Sequence, residues 1–176
     1  RAVLQRSAVK LDASSTKSPI QSNAVYLVTG GQQGIGFELA RAIAEQAPGV
    51  RLALAHRTAF GTGSQGEIRQ ANIARLRDLG AQVWPAAVDV ADEAALASLL
   101  REVRQRWGPL RGVVHAAGVL HDQLLVNYAR DAAAEVLRPK LLGARALASL
   151  TTDDPLDFCV LCSSVASLRG QLGQAA

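Results

Sequence analysis

Short apolar runs alternate with helically spaced segments along most of this chain. The runs are Ala24–Val28, Arg51–Ala55, Gln82–Val88, Leu110–His115 and Leu156–Cys162. They are brief, rich in Val, Leu and Ala, and bounded by Gly, Pro or polar residues, which predicts buried strands. Between them, Phe37–Ala47, Gly66–Leu79, Glu93–Arg106 and about Ala129–Leu150 carry apolar residues near the 3.6-residue period and predict helices. In the second of these, Ile68, Ile73, Leu76 and Leu79 mark the apolar face, and Gly80 ends the helix as a C-terminal cap. Asp92 is the N-cap of the next helix, and Gly61–Gly66 reads as a flexible surface loop. Five strands joined by four helical crossovers predict an α/β fold with a doubly wound parallel sheet.

Ligands of such sheets bind beyond the carboxyl ends of the strands, so the residues that follow each strand carry the chemistry. After the first strand come Thr29, Gly30, Gly31, Gln32, Gln33, Gly34, Ile35 and Gly36, leading into a helix. Backbone N–H groups and the helix dipole make such a turn an anion cradle, and the glycines permit a tight turn, close approach of a pyrophosphate and close helix packing. The spacing is Gly-x-x-x-Gly-x-Gly; the bland alternative is a glycine-rich turn without a ligand. After the second strand come His56 and Arg57, where an acid would select NAD. Arg57 instead offers a fork for the 2′-phosphate of NADPH, the alternative being a solvated loop arginine.

After the third strand, Asp89 can accept from an adenine amino group while Val90 packs the ring; Asp89 can equally cap a helix. After the fourth, the small residues of His115, Ala116, Ala117 and Gly118 let the backbone run beside a cofactor's ribose and nicotinamide. His115 has no second ligand at metal spacing from His56 or His121, so it reads as a structural histidine and no metal site is expected. After the fifth, Ser163 and Ser164 can hydrogen-bond a substrate carbonyl, and no Gly-x-Ser-x-Gly elbow marks a hydrolase. Lys140 follows Pro139, which disturbs a helix and re-aims its neighbours; by itself a helical lysine reads as a surface charge.

Composition narrows the classes. The chain of 176 residues is 49% hydrophobic, enough for one domain with a sizeable core, and no apolar stretch reaches a membrane span. No signal peptide is visible. Three of the four net positive charges arise within residues 1–22, where Arg1, Arg6, Lys10 and Lys17 face only Asp12. With 4% aromatics and no basic stripe elsewhere, neither a nucleic acid nor a membrane is an expected partner. Residues 1–22 read as a linker or the tail of a preceding domain, with Ala2–Leu11 as its last strand, and residues 23–176 as the nucleotide-binding domain. The absence of methionine suggests a piece of a longer polypeptide. Cys159 and Cys162 lie three apart in a predicted strand and so face opposite sides; they read as small core residues in a reducing compartment, the cytoplasm.

Taken together, Thr29–Gly36, Asp89-Val90, His115–Gly118, Arg138-Pro139-Lys140, Ser163-Ser164, Gly170 and Gly173-Gln174-Ala175 resemble a short-chain dehydrogenase/reductase. More closely, they resemble the Rossmann-like ketoreductase domain of modular polyketide synthases and animal-type fatty acid synthases, from about Val25 to Ala176. The resemblance implies NADPH-dependent reduction of a β-ketoacyl thioester carried on an acyl carrier protein. It makes Ser164 the carbonyl-binding serine and Lys140 the lysine that supports a tyrosine proton donor. By family spacing that tyrosine stands immediately after Ala176, so the chain by itself is expected to be inactive and to pair with the remaining C-terminal half of the domain and with other domains of a multienzyme. Gln33 and Ser167 replace glycines common in the family. In Leu120-His121-Asp122, Asp122 resembles the substrate-orienting aspartate of ketoreductases that form the D-configured alcohol. Two alternatives stay open: a non-catalytic structural domain of a synthase, and a free-standing reductase of the same superfamily.

Overall fold

The structure is a computed structural model, and it describes residues 18–59, 63–124, 126 and 130–165. Nine elements follow in strict alternation: β1 (Val25–Thr29), α1 (Gly34–Gln46), β2 (Arg51–His56), α2 (Ser64–Asp78), β3 (Gln82–Ala87), α3 (Glu93–Trp107), β4 (Leu110–His115), α4 (Arg130–Leu150) and β5 (Phe158–Leu161). The strands form one parallel sheet in the order β3-β2-β1-β4-β5, the doubly wound arrangement expected from the alternation.

Period-two alternation in β1 divides the core. Tyr26 and Val28 point to the side covered by α1 and α2, where they join Phe37, Ala40, Ile43, Leu52, Leu54, Ile73 and Leu76. Val25 and Leu27 point to the opposite side and meet Leu96, Leu99, Leu100 and Val103 of α3 and Ala146 and Leu147 of α4. β1 is buried along its whole length, as a central strand clothed on both faces must be. Pro85 sits in β3, an edge strand of the described sheet, where a missing N–H costs a ladder no bond. Gly112 of β4 leaves room for Phe158 of β5: a Cβ there would lie 2.5 Å from the Phe158 ring, which stacks on Tyr26 at 5.6 Å.

Most boundaries agree with the sequence reading within a few residues, and the differences have local causes. α1 starts three residues early because Gly34–Gly36 themselves make its first turn. α2 starts at Ser64, so the second half of the expected Gly61–Gly66 loop is helix, with Gly63 at its N-cap; Gly61 lies outside the described residues. Ile68 and Leu79 are exposed, leaving Ile73 and Leu76 to anchor α2. Gly80 (φ 85°) closes α2 with Gly80 N–H on Arg77 O and Ala81 N–H on Leu76 O, and Asp92 caps α3 by accepting from Ala95 N–H at 3.0 Å.

The expectation of two core cysteines is corrected. Cys159 is exposed and Cys162 only half-buried, because β5 is the other edge of the described sheet. The segment expected to be a linker is tied to the domain over its described part. Ile20 packs against the α1/α2 core, Gln21 N–H donates to the Tyr26 hydroxyl at 2.6 Å, and Gln21 Nε2 donates to Asp157 at 2.9 Å. The expected Ala2–Leu11 strand lies outside the described residues, as do Ser167, Gly170 and Gly173-Gln174-Ala175.

Away from the carboxyl ends of the strands, Asp154 fastens α3, α4 and β4 together. Its nearly buried carboxylate accepts from Arg104 Nη2 (2.6 Å), Arg104 Nε (3.2 Å) and Leu110 N–H (2.9 Å), while Arg104 also donates to Leu150 O. Replacing Asp154 with Ala strands the Leu110 donor and the arginine, and is expected to destabilise the fold by on the order of 3 kcal/mol. A denaturant titration checks this; a change below about 0.5 kcal/mol, the range of ordinary surface substitutions, would contradict it.

Candidate functional site

Because every strand runs the same way, Thr29, His56, Asp89, His115 and Ser163-Ser164 all emerge at one edge of the sheet. The order reverses between β1 and β4, the topological switch point at which sheets of this kind bind ligands. Gly30 N–H donates to Ala55 O (2.8 Å) and Ala116 N–H to Thr29 O (3.0 Å), which extends the sheet by one residue on each side. Gly30 has φ 70° and sits so close to β4 that a Cβ would lie 2.9 Å from the Ala116 and Ala117 backbone. A Cβ on Gly36 would run into the Gly30 carbonyl, so α1 rests directly on the turn.

The start of α1 is open. Gln33, Gly34 and Ile35 are exposed, the N-cap Gln33 makes no side-chain capping bond, and the first turn holds no acid. Among the described residues no side chain caps its first-turn N–H groups, in contrast to α3, whose Asp92 uses its carboxylate for this purpose. Gln32 is different: its side chain is buried, Nε2 donates to Leu54 O at 3.2 Å, Oε1 finds no partner among the described residues, and its carbonyl accepts from Asn72. What Gln32 can offer a ligand is backbone alone.

His56 and Arg57 leave β2 in a loop organised by Arg69, which the sequence reading did not single out. Arg69 is buried on α2 and reaches His56 Nδ1 (3.0 Å), Thr58 Oγ1 (3.2 Å) and the carbonyls of Thr58, Ala59 and Gln65. The available signal was its position: four residues before Ile73 and seven before Leu76, a charge placed on the apolar face. Burial and, less strongly, the nearby Arg69 and Arg57 charges hold His56 below its ordinary range, against the Thr58 carbonyl. Arg57 itself is exposed.

Asp89 is half-buried, accepts from Ala91 N–H at 2.9 Å, and has Arg138 of α4 at 3.8 Å. Val90 departs from its expected place against a ring. It is 3% exposed and packed in the α3/α4 core, because the chain turns inward there to begin α3.

His115 is buried as the sequence suggested for a structural histidine, and it belongs to a chain of polar contacts. Pro139 O can only accept, so Nε2–H donates to it at 3.0 Å. Nδ1 therefore accepts from the Thr29 hydroxyl (2.7 Å), whose oxygen in turn accepts from Ala117 N–H (3.3 Å). Burial holds His115 below its ordinary range, the Pro139 carbonyl opposes this, and the Lys140 charge adds to it. Ala116 and Ala117 are half-buried beside Gly30, while Gly118 passes under Lys140, where a Cβ would lie 3.1 Å from Lys140 Cε.

Pro139 lies inside α4, which runs on through it. Lys140 is half-buried rather than splayed into solvent, and its Nζ donates to Cys162 O at 2.8 Å, one residue before Ser163. The ammonium, Ser163 and Ser164 thus share the end of β5. Asp122 is exposed beyond β4, next to His121, which pairs with Glu135 of α4 at 3.2 Å. Among the described residues no group of three or more His, Cys, Asp or Glu could hold a metal ion, and no helix is long and apolar enough to cross a membrane.

Fold and site define the class, a Rossmann-like α/β domain of the short-chain dehydrogenase/reductase kind. The model of the KR domain family matches residues 24–176, and the chain belongs to that family, the ketoreductase domains of polyketide synthases. Polyketide synthase PksN of Bacillus subtilis is 34% identical over 167 residues, covering 95% of this chain and 3% of that protein. Polyketide synthase ThaG of Burkholderia thailandensis is 36% identical over 157 residues, covering 89% of this chain and 3% of the relative. The chain thus spans a small fraction of these curated relatives. A ketoreductase domain from the bacillaene assembly line superposes with a TM-score of 0.83 at 32% identity, over 92% of this chain and 38% of that one. An A1-type ketoreductase does so with a TM-score of 0.80 at 38% identity, over 96% and 34%. Ketoreductases of this kind are oxidoreductases. An NAD+-bound xylitol dehydrogenase shares the fold, with a TM-score of 0.75 at 23% identity.

Two outcomes follow from the geometry. Gly36→Ala forces a side chain into the Gly30 backbone and is expected to cost about 1–3 kcal/mol; Gly34→Asn, in open space at φ 56°, is expected to cost far less. Melting curves compare them, and equal losses would contradict the packing argument. Unfolded His115 takes up a proton near pH ~6.5 while the folded site resists it, so its contribution is complete above that pH and is lost as the pH falls below it. Urea midpoints at pH 7.5 and 5.5 should differ less in His115→Gln than in the wild type, and identical differences would refute this.

Proposed function

We propose that this chain is part of an NADPH-dependent ketoreductase that reduces a β-ketoacyl thioester on an acyl carrier protein to the β-hydroxyacyl form, within a polyketide or fatty acid synthase. The observation that carries the reading is the meeting of Lys140 Nζ with the β5 terminus beside Ser163-Ser164, at the same sheet edge as the α1 N-terminus and the close approach of Gly30 to Ala116. The residues fit the cofactor. The open N–H groups of Gly34–Gly36 suit a pyrophosphate, Arg57 a 2′-phosphate, Asp89 an adenine amino group, and the small-residue segment Ala116–Gly118 a ribose and nicotinamide.

NADPH supplies the hydride that adds to the β-carbon. The chain's own groups handle the oxygen. Ser164 donates to the ketone oxygen and fixes its lone pair, so negative charge developing there is met by a preorganised donor. Lys140 places a positive charge beside the proton donor, by resemblance a tyrosine just past Ala176, and eases release of its proton to that oxygen. One hydride and one proton make the alcohol. Asp122, exposed beyond β4, is by resemblance the residue that orients the acyl chain.

The test is NADPH oxidation with a β-ketoacyl thioester by the natural-length polypeptide. Ser164→Ala is expected to lower kcat by about 100- to 1,000-fold, the usual loss of one such donor. Turnover that survives the change would overturn the assignment of Ser164, and NADPH binding without any turnover would favour a structural domain. Arg57→Ala is expected to raise KM for NADPH and leave KM for NADH unchanged; equal effects on both would remove the 2′-phosphate assignment.

A further inference from the structure

One turn of α4 touches the ends of three strands. Arg138 faces Asp89 after β3 at 3.8 Å, the Pro139 carbonyl accepts from His115 at the end of β4 at 3.0 Å, and Lys140 donates to Cys162 O after β5 at 2.8 Å. Pro139 has no N–H, so α4 lacks one internal rung at the turn that carries the lysine, and a helix loosened in this way needs an external restraint. His115 provides one from within the sheet. Its ring cannot swing, because Thr29 Oγ1 holds Nδ1 at 2.7 Å and α4 approaches so closely that a Cβ on Gly143 would lie 3.0 Å from His115 Cε1.

We propose that His115 is a positioning residue for Lys140: its Nε2–H grips the Pro139 carbonyl and sets the height and rotation at which α4 presents the ammonium to the Cys162 carbonyl and the Ser163-Ser164 edge. This rests on the ketoreductase reading for the use of Lys140, though not for its position. A glutamine at 115 keeps an amide N–H where Nε2 stood, whereas an asparagine reaches Thr29 but is too short for Pro139 O.

The experiment compares His115→Asn and His115→Gln in the natural-length polypeptide, with two readouts. The first is the rate of reductive methylation of Lys140 relative to Lys10 and Lys17, followed by mass spectrometry. The second is the pH profile of kcat alongside KM for NADPH. His115→Asn is expected to speed labelling of Lys140 several-fold, to lower kcat about 10- to 100-fold, as misplacement of a catalytic group does, and to move the profile to higher pH with KM for NADPH unchanged. His115→Gln is expected to stay close to wild type in all of these. Asn and Gln behaving alike, or Lys140 labelling unchanged in Asn, overturns the proposal. Should His115→Asn not fold, Thr29→Val, which frees the other ring nitrogen, must raise Lys140 labelling, and no change is again a refutation. Wild-type protein that lacks turnover while Lys140 labelling responds as described removes the ketoreductase reading and leaves the positioning role standing.

Discussion

The hydrogen bond between Thr29 and His115, 2.7 Å long and out of contact with water, is the joint around which this domain is arranged. It links the last residues of β1 and β4, the two strands that flank the reversal in sheet order. A buried imidazole tolerates no unmade bond, so its second nitrogen must also be served, and the carbonyl of Pro139 serves it. The requirement to satisfy one buried ring thereby fixes β1 against β4 and α4 against both. The geometry of this edge is measured from that joint: the Gly30 turn on one side, the Ala116–Gly118 segment on the other, and Lys140 one residue beyond Pro139.

The division of labour between the two cores supports this edge. The α1/α2 side, built on Tyr26 and Val28, carries the open α1 terminus and the Arg57 loop, which Arg69 and Asn72 of α2 brace from below. The α3/α4 side, built on Val25 and Leu27, carries Lys140 and is closed at the opposite end by Asp154 and Arg104. The open α1 terminus and the Lys140 ammonium are thus mounted on opposite layers of one sheet.

Much of this was legible along the chain. Five apolar runs and four helical stretches appear as nine elements in the expected order, because the alternation of periods two and 3.6 is imposed by burial on both faces of a parallel sheet. Gly80 and Asp92 end and begin helices as their local chemistry dictates. Positions that depend on which face is covered were less legible. Cys159 is as apolar as a core residue but lies at the edge of the described sheet, Ile68 follows helical spacing but faces outward, and Val90 and Gln32 turn their side chains into the protein.

The sequence by itself determined the order of elements, their parallel sense and the loops that gather at one edge, since these follow from local periodicity and the handedness of crossovers. Tertiary structure alone decided that the His115 ring meets Pro139, that Arg69 braces the loop bearing Arg57, and that Lys140 turns in to the Cys162 carbonyl instead of out to water. These contacts join residues separated by 13 to 24 positions, across different elements. Their existence depends on packing distances between layers, which no local pattern encodes.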